Sequence, residues 1–445
     1  MRFLYLLVKI FAQYSIRIYF PRILKINAPK KFYGRTIYVS NHPASFMDPV
    51  LLGTLQRPSV FFMTRSDIFT PMLKPILWLA QMLPIYRQLD GDGAVGKNAE
   101  VFKATSNVLK GGRNLLIFGE GFTDDVFIRR LKPIKKGPAR IGFIALEAMN
   151  WEKKVYVSMI GINYGQPNYL GGDVVIANSE RFCLNDYYDV YKENPNRAIT
   201  EVTRRIEVML KPLITHVENK EWAEFHEQVM QIRRFGLHPE NTDFSIPLQQ
   251  RYENSKQLAA WINQQNLENE ELIALKKQAD TYFLLQKRLG LSEKYVFEKV
   301  STGKLNISKE LFYLISALPI ALLGAAHLLV PYLLVKKFTE KTFKRRVFWS
   351  SVKMMVGMLV MALFTWPIVA LFNTCVIHNA WLSLTYFFTI PLFGIIAYSW
   401  KRTYVDFQTK RKLNKMDLKE FIQKRKELEE KINLLIFDVS NVNHK

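Results

Sequence analysis

The sequence predicts an α/β domain, with a mainly central sheet flanked by helices, followed by C-terminal membrane helices. From Thr36 to about Phe235, short apolar runs alternate with helical patterns, as is typical of α/β domains. Nearer the C-terminus, residues 311–335 and 354–400 contain no Asp, Glu, Lys or Arg. Such stretches reach the roughly 20 apolar residues that cross a bilayer. A globular domain held at a membrane is therefore the expected architecture.

Five apolar runs predict the strands, at residues 36–40, 60–64, 114–118, 155–164 and 173–177. The segments between them predict helices at residues 50–55, 72–83, 95–111 and 135–149. Gly111 and Gly112 end the third of these helices, as glycines commonly do. A stretch rich in Gly, Pro, Asn and Asp at 236–247 predicts a domain boundary.

These patterns divide the chain into five predicted segments. They are an N-terminal interfacial helix (1–30), an α/β domain (31–235), a helical connecting region (236–308), membrane segments (309–402) and a basic cytoplasmic tail helix (403–445). The N-terminal segment is apolar but carries Arg2, Lys9 and Arg17, which predicts a helix lying in the membrane interface with these cations at lipid headgroups. An ordinary packed helix is the alternative.

The membrane topology is predicted from the charges beside the apolar stretches. The loop 336–346 and the tail that begins at Lys401 are basic, which favours a cytoplasmic position for both. Pro319, Gly324, His327 and Pro331 interrupt the first stretch, so 311–335 is predicted as a re-entrant hairpin. Two true spans, 354–376 and 380–400, would follow it. Three simple spans remain the alternative.

The composition favours an anionic lipid surface as the partner. The 62 Lys and Arg residues exceed the 39 Asp and Glu residues, which gives a net charge of +23. No zinc-ligand spacing, helix-turn-helix signal or basic heptad region is evident, so no nucleic-acid partner is expected. Cys183 and Cys375 lie far apart and the seven histidines are scattered. We therefore expect no metal, no disulfide framework and a domain in reducing cytosol.

The segment NHPASFMDP, residues 41–49, carries the candidate catalytic residues His42 and Asp48. It follows the first predicted strand, and Pro49 and Asp48 suit the first helical position and the N-cap of the next helix. A folded-back loop would bring the His42 ring onto the Asp48 carboxylate. An Asp that accepts from Nδ1 leaves Nε2 as a general base for a hydroxyl nucleophile. A simple helix cap beside an unrelated histidine is the alternative.

This segment resembles the active-site motif of the glycerol-3-phosphate and lysophosphatidate acyltransferase family. In that family a His and an Asp separated by four residues deprotonate the acceptor hydroxyl, whereas five residues intervene here. Three further blocks are similar to those of the family and follow in the same order. They are LPIYR at 83–87, IFGEG at 117–121 and VSMIGINY at 157–164, the last lacking the usual Pro.

The resemblance implies roles for residues in these blocks. Arg87 would bind the acceptor phosphate, and Glu120 and Gly121 match the third block. Gly119 replaces the usual Pro, and Phe122 and Thr123 replace Thr-Arg, so a phosphate ligand of many relatives is absent. The nearby cations are candidates to replace its charge, or else form a membrane-facing basic surface: Arg129, Arg130, Lys132, Lys135 and Lys136. Gly119 and Gly121 are also candidates to let backbone amides approach an anionic oxygen.

The resemblance implies an acyltransferase-like α/β domain and a membrane-bound O-acyltransferase of phospholipid synthesis. Acyl-CoA or acyl carrier protein would donate the acyl group to glycerol 3-phosphate or lysophosphatidate, and no cofactor is expected. Two alternatives remain: a lyso-aminolipid acceptor built on glycine or ornithine, and a catalytically silent membrane tether. The expected location is a bacterial inner membrane, with the catalytic domain in the cytoplasm.

Overall fold

The computed structural model describes residues 2–29, 33–55, 60–65, 71, 75, 77, 81–85 and 94–437. The chain divides into two compact units. The first contains Met1–Met230 and Phe235–Gln265, and the second contains Gln231–Arg234 and Asn266–Lys445.

The described strands of the first unit form one sheet. They are β1 (Arg22–Ile26), β2 (Thr36–Ser40), β3 (Val60–Arg65), β4 (Met82–Ile85), β5 (Asn114–Phe118), β6 (Tyr156–Tyr164) and β7 (Asp173–Cys183). Their order across the sheet is β1-β7-β6-β2-β5-β3-β4. Neighbouring strands are parallel except β6 and β7, which are antiparallel. The predicted α/β class is therefore confirmed, with a mixed sheet at its centre.

The first unit also contains helices. They are α1 (Arg2–Tyr19), α2 (Met47–Leu55), α3 (Ala94–Lys110), α4 (Gly137–Glu147), α5 (Tyr188–Glu193), α6 (Pro195–Leu210), α7 (Ala223–Arg233) and α8 (Leu248–Gln264). Of these, α7 extends into the second unit at Gln231. All five residues of β2 are buried, as expected for a central parallel strand covered on both faces. Its side chains Ile37 and Val39 share one apolar cluster with residues of α4 and α6, such as Phe143 and Val202.

Two predicted boundaries of this unit are wrong. The N-terminal segment, residues 1–30, is not one helix, because β1 pairs with β7 and belongs to the sheet. The predicted boundary at 236–247 also fails, since residues up to Gln265 belong to the first unit. The reason is packing: Tyr252 of α8 contacts the apolar residues of β7, and Arg251 Nη1 binds Asp173 Oδ2 at 2.7 Å.

The second unit is helical. Its helices are α9 (Glu270–Arg288), α10 (Glu293–Thr302), α11 (Ser308–Ser316), α12 (Leu318–Thr342), α13 (Trp349–Phe372), α14 (Ala380–Asn414) and α15 (Lys419–Ile432). In the described chain, three helical segments are long and apolar enough to cross a membrane: Leu318–Thr342, Arg346–Ile377 and Ala380–Asn414.

The predicted re-entrant hairpin at 311–335 is wrong. Residues Leu318–Thr342 form one continuous helix that contains Pro331. Pro319 lies in the first turn, where a missing N–H leaves no helical bond unmade. Gly324 serves close packing and not a turn, because a Cβ there would collide with the carbonyl oxygen of Phe393 in α14. Neither Pro319 nor Gly324 therefore breaks the chain into a hairpin, and the helix continues through Pro331.

The two ends of the apolar region lie together. The Leu305 N–H donates to Asn414 Oδ1 at 3.0 Å, and Asn414 Nδ2 donates to the Leu305 carbonyl at 2.8 Å. Further along, Trp400 Nε1 donates to the Leu314 carbonyl at 2.8 Å. His327 of α12 lies after Leu314 in the chain, but its partner Tyr386 lies before Trp400, the partner of Leu314. Helices α12 and α14 therefore run antiparallel.

The prediction that residues 403–445 form a separate tail helix is also wrong. Residues 403–414 continue α14, and Asp406 binds Lys294 of α10 at 2.9 Å. Helix α15 packs through Arg425, which is fully buried and pairs with Glu293 at 2.5 Å. These contacts make the described tail residues part of the helical unit.

Candidate active site

The site lies where three neighbouring strands end. In the sheet, Ser40 of β2 pairs with Phe118 of β5 on one side and Ile160 of β6 on the other, all in parallel. The carboxyl ends of parallel strands form the usual ligand-binding edge of an open α/β sheet. Asn41 ties the turn after β2 to this edge, since its side chain exchanges hydrogen bonds of 2.9 and 2.8 Å with the backbone of Ile162.

The turn after β2 brings His42 onto Asp48. His42 Nδ1 lies 2.8 Å from Asp48 Oδ2, although five residues separate the two. The loop closes through Ser45, which has a left-handed backbone with φ of 53° and accepts a bond from the Asp48 N–H at 3.2 Å. The added loop residue is therefore compatible with the predicted pair.

The predicted N-cap role of Asp48 is wrong. Helix α2 begins at Met47, so Asp48 lies inside its first turn. Its carboxylate accepts the backbone N–H of Ala44 at 2.8 Å and the phenol O–H of Tyr164 at 2.8 Å, in addition to His42. These partners precede the helix or come from β6, so the carboxylate supports the histidine and not the helix end.

The His42 ring is fixed in a defined orientation. It stacks on the Phe118 ring, with centroids 4.2 Å apart and planes 18° from parallel. Its side chain keeps 19% of its surface exposed, while that of Asp48 has none. Because Asp48 takes Nδ1, the opposite nitrogen Nε2 is the one that can accept a proton from a substrate.

Glu120, just after β5, joins the His42 turn to the basic loop. Its carboxylate accepts a hydrogen bond from the backbone of His42 and lies 3.2 Å from Lys132 Nζ. Burial raises the pKa of Glu120, and the charge of Lys132 opposes that rise. Glu120 therefore connects the turn that carries His42 with Lys132.

The two glycines of the third block act through packing and turn geometry. The Gly119 N–H donates to the Ser40 carbonyl at 3.0 Å, and the Gly121 N–H donates to the Phe118 carbonyl at 3.2 Å. Both of their own N–H groups therefore already donate to backbone carbonyls, and the approach of other backbone amides to an anionic oxygen stays a prediction. A Cβ on Gly119 would lie 3.0 Å from Val39, and Gly121 has φ of +76°.

Arg129 lies in the protein interior and not at an open binding surface. Its side chain is 2% exposed and pairs with Glu227 at 2.5 Å. Its other nitrogens donate to the carbonyls of Tyr164, Gly165 and Leu237. The predicted headgroup contact by Arg129 is wrong, since protein acceptors already bind its guanidinium.

Two of the predicted cations, Arg130 and Lys132, line a cavity. The cavity has a volume of about 200 Å³, and its lining comprises Phe122, Asp124, Ile128, Arg130, Lys132, Pro133 and Lys220. Lys132 Nζ also lies 3.2 Å from Asp124 and 4.6 Å from the centre of the Phe122 ring. Lys135 is exposed, and its backbone N–H donates to the Gly119 carbonyl at 2.9 Å.

Sequence reasoning missed two residues at this site. Tyr164 is the last residue of the fourth block, but only the sheet shows that its hydroxyl reaches Asp48. Lys220 lies far along the chain from the other cavity residues, with no local signal. Arg87 lies outside the described residues.

A family model described as acyltransferase matches residues 21–162, which include His42, Asp48 and Glu120. This chain contains an acyltransferase domain. The match agrees with the geometry of the His42 turn, and the protein is an acyltransferase. Tyr164 lies two residues beyond the matched range of the acyltransferase domain.

The acyltransferase is also similar to a solved structure, the crystal structure of the 1-acyl-sn-glycerophosphate (LPA) acyltransferase PlsC from Thermotoga maritima. The two are 14% identical with a TM-score of 0.32, over 47% of this chain and 81% of that one. No curated protein matches the chain.

Proposed function

We propose that this acyltransferase is membrane-bound and acts in phospholipid synthesis. It transfers a fatty acyl group from acyl-CoA or acyl carrier protein to a hydroxyl of glycerol 3-phosphate or lysophosphatidate. The observation that carries the proposal is the His42–Asp48 pair, 2.8 Å apart, at the sheet edge beside Lys132. A base for a hydroxyl and a cation for an anionic headgroup are thus close together.

In the proposed reaction, His42 Nε2 takes the proton of the acceptor hydroxyl as its oxygen attacks the thioester carbonyl. A carbon–oxygen bond forms and the carbon–sulfur bond breaks. The imidazolium then returns its proton to the leaving thiolate. Asp48 stabilises the imidazolium through Nδ1 and holds the ring in the required tautomer. The thioester is the co-substrate, and the step requires no further cofactor.

The basic cavity is the proposed site for the acceptor phosphate. Arg130 and Lys220 line it together with Lys132. Arg offers bidentate contacts to phosphate, whereas Lys acts as a point charge. These cations would replace the arginine that the third block lacks, while Arg87 and Lys135 remain candidate contacts from the sequence.

The apolar helices support a membrane location. The +23 charge of the chain suits an anionic lipid surface. Since Leu305 and Asn414 bind each other, we place both ends of the apolar region on one membrane face. An even number of the three apolar helices then crosses the bilayer. The basic residues after Trp400 favour the cytoplasmic face, with the catalytic domain also cytoplasmic, as in a bacterial inner membrane.

Cysteine labelling tests this topology. Lys304→Cys and Lys415→Cys are made in a background in which Cys183 and Cys375 are replaced by Ser. In oriented membrane vesicles, an impermeant maleimide should label both positions from the same side. Labelling from opposite sides would contradict the proposed topology.

A lyso-aminolipid acceptor is the second candidate. It is favoured by one observation: Lys132 already lies 3.2 Å from both Glu120 and Asp124, which offset some of its charge. An acceptor without phosphate would need less positive charge. The silent tether is disfavoured because the base, its carboxylate and the stacked Phe118 ring are all arranged for proton transfer.

An acceptor panel separates these candidates. The purified full chain in lipid nanodiscs is incubated with labelled acyl-CoA or acyl carrier protein and each acceptor in turn. Transfer to glycerol 3-phosphate or lysophosphatidate supports the proposal. Transfer to lyso-aminolipids alone supports the second candidate. If neither donor gives transfer to any acceptor, the silent membrane tether is the remaining candidate.

A further inference from the structure

The Asp48 carboxylate is buried, and its hydrogen-bond donors all come from the protein. Asp48 is 0% exposed. Oδ2 accepts from His42 Nδ1 and from the Ala44 N–H, each at 2.8 Å. Oδ1 accepts from the Tyr164 hydroxyl, also at 2.8 Å. A buried carboxylate loses the solvation of bulk water, so its hydrogen-bond donors decide how readily it takes up a proton.

Tyr164 is held so that its hydroxyl reaches Oδ1. It is the last residue of β6 and is 0% exposed. Its ring packs against Phe20, with centroids 5.4 Å apart, and its carbonyl accepts a bond from Arg129 Nη1 at 2.7 Å. The ring and the backbone are therefore fixed by contacts that do not involve the hydroxyl.

The hydroxyl remains a donor over the whole working range of pH. Burial and the Asp48 charge raise the pKa of Tyr164 well above its usual value. The other titratable or charged groups around Tyr164 and His42 come from three elements. Tyr19 at the end of α1 acts on Tyr164, and Glu120 after β5 contacts His42. In the basic loop, Arg129 binds the Tyr164 carbonyl and Lys132 pairs with Glu120.

We propose that Tyr164 is a positioning residue that sets the proton affinity of the His42–Asp48 pair. The inference rests on the proposed function, in which His42 is the base. Without the hydroxyl, Oδ1 loses its donor, so the carboxylate takes up a proton more readily. The carboxylate also attracts the imidazolium of His42 more strongly, because the Tyr164 hydroxyl no longer shares its negative charge. Both effects raise the apparent pKa of the pair. As the pH falls, protonation of the pair then abolishes activity at a higher pH than in the wild type.

Tyr164→Phe tests the inference because it keeps the ring and removes only the hydroxyl. In the full chain, the acidic limb of the kcat profile should move up by about one pH unit. The value of kcat on the plateau should fall roughly tenfold, because Asp48 without this donor holds the His42 ring less firmly, while KM for the acceptor stays within about twofold. The His42 resonances, followed by NMR in protein with labelled histidine, should titrate about one pH unit higher, whether or not substrate turns over.

Tyr252→Phe is the matched control. Tyr252 is also buried and donates its hydroxyl to one protein oxygen, the Leu213 carbonyl at 2.9 Å, but it does not contact Asp48. This variant should leave the pH profile and the His42 titration as in the wild type.

An unchanged His42 titration in Tyr164→Phe would overturn the inference, as would an equal shift in Tyr252→Phe. Absence of acyl transfer by the wild type would instead refute the proposed function. The two failures are therefore distinguishable.

Discussion

The turn that carries His42 and the basic loop at 128–136 lie side by side but differ in their surroundings. In the turn, Asp48 is fully buried and both of its oxygens are bonded. In the basic loop, Arg130 and Lys135 are exposed to solvent. A group held by several protein contacts keeps its geometry for a chemical step, whereas an exposed cation attracts an anionic ligand and can adapt to it.

In the proposed reaction, the turn carries out the proton transfer and the cavity binds the acceptor. Changes in the turn are expected to lower kcat, and changes at the cavity are expected to raise KM for the acceptor. Even two neighbouring residues, Arg129 and Arg130, differ in their surroundings. The first is buried and bonded to protein oxygens, and its neighbour in sequence lines the cavity.

The largest effect is expected from Asp48→Asn. An amide in place of the carboxylate can present a donor to Nδ1, which favours the wrong tautomer of His42 and removes support for the imidazolium. The value of kcat should fall by roughly 10²–10⁴, measured by steady-state transfer of labelled acyl groups. Asp189→Asn, at an exposed position of α5, is the control and should keep full activity. Comparable loss in both variants would contradict the special role of the turn.

A smaller effect, on stability, is expected from Arg129→Ala. The substitution leaves Glu227 and the carbonyls of Tyr164, Gly165 and Leu237 without this donor. The free energy of unfolding should fall by about 3 kcal/mol, measured by denaturant titration of the solubilised chain. A variant of wild-type stability with a raised acceptor KM would instead restore the headgroup role for Arg129.

The smallest effect is expected at the cavity. Replacing Arg130 and Lys220 together by Ala removes two charges from its lining. KM for a phosphate acceptor should rise about tenfold while kcat changes little, because exposed cations add mainly to binding. Replacing Lys192 and Arg197 together by Ala removes two exposed charges outside the cavity and controls for net charge. A fall in kcat with an unchanged KM would remove the distinction between the two regions.

Local patterns predicted much of the fold. The five predicted strands correspond to β2, β3, β5, β6 and β7, because each is an apolar run between turn signals. Strand β1 was missed since its pattern is half-exposed and includes Lys25. Strand β4 was missed because an apolar run that reads as a helix, 72–83, extends into its first two residues.

Local sequence patterns likewise predicted only part of the site. The pairing of His42 with Asp48 follows from residues six positions apart, so a sequence motif can carry it. Arg129 and Arg130 look alike in sequence, and only distant residues such as Glu227 and Lys220 show which of them is buried. Tyr164 likewise reaches Asp48 across 116 positions. Contacts of this kind depend on strand order, which a single sequence does not specify.

The role of His42 as the base of an acyl transfer is tested most directly by a single-turnover assay of the wild type and His42→Ala. Both proteins are prepared in nanodiscs, matched in melting temperature, and given labelled acyl donor with glycerol 3-phosphate or lysophosphatidate. The wild type should form the ester, and His42→Ala should do so roughly 10²–10⁴ times more slowly. Equal rates in the two proteins would contradict the assignment of His42.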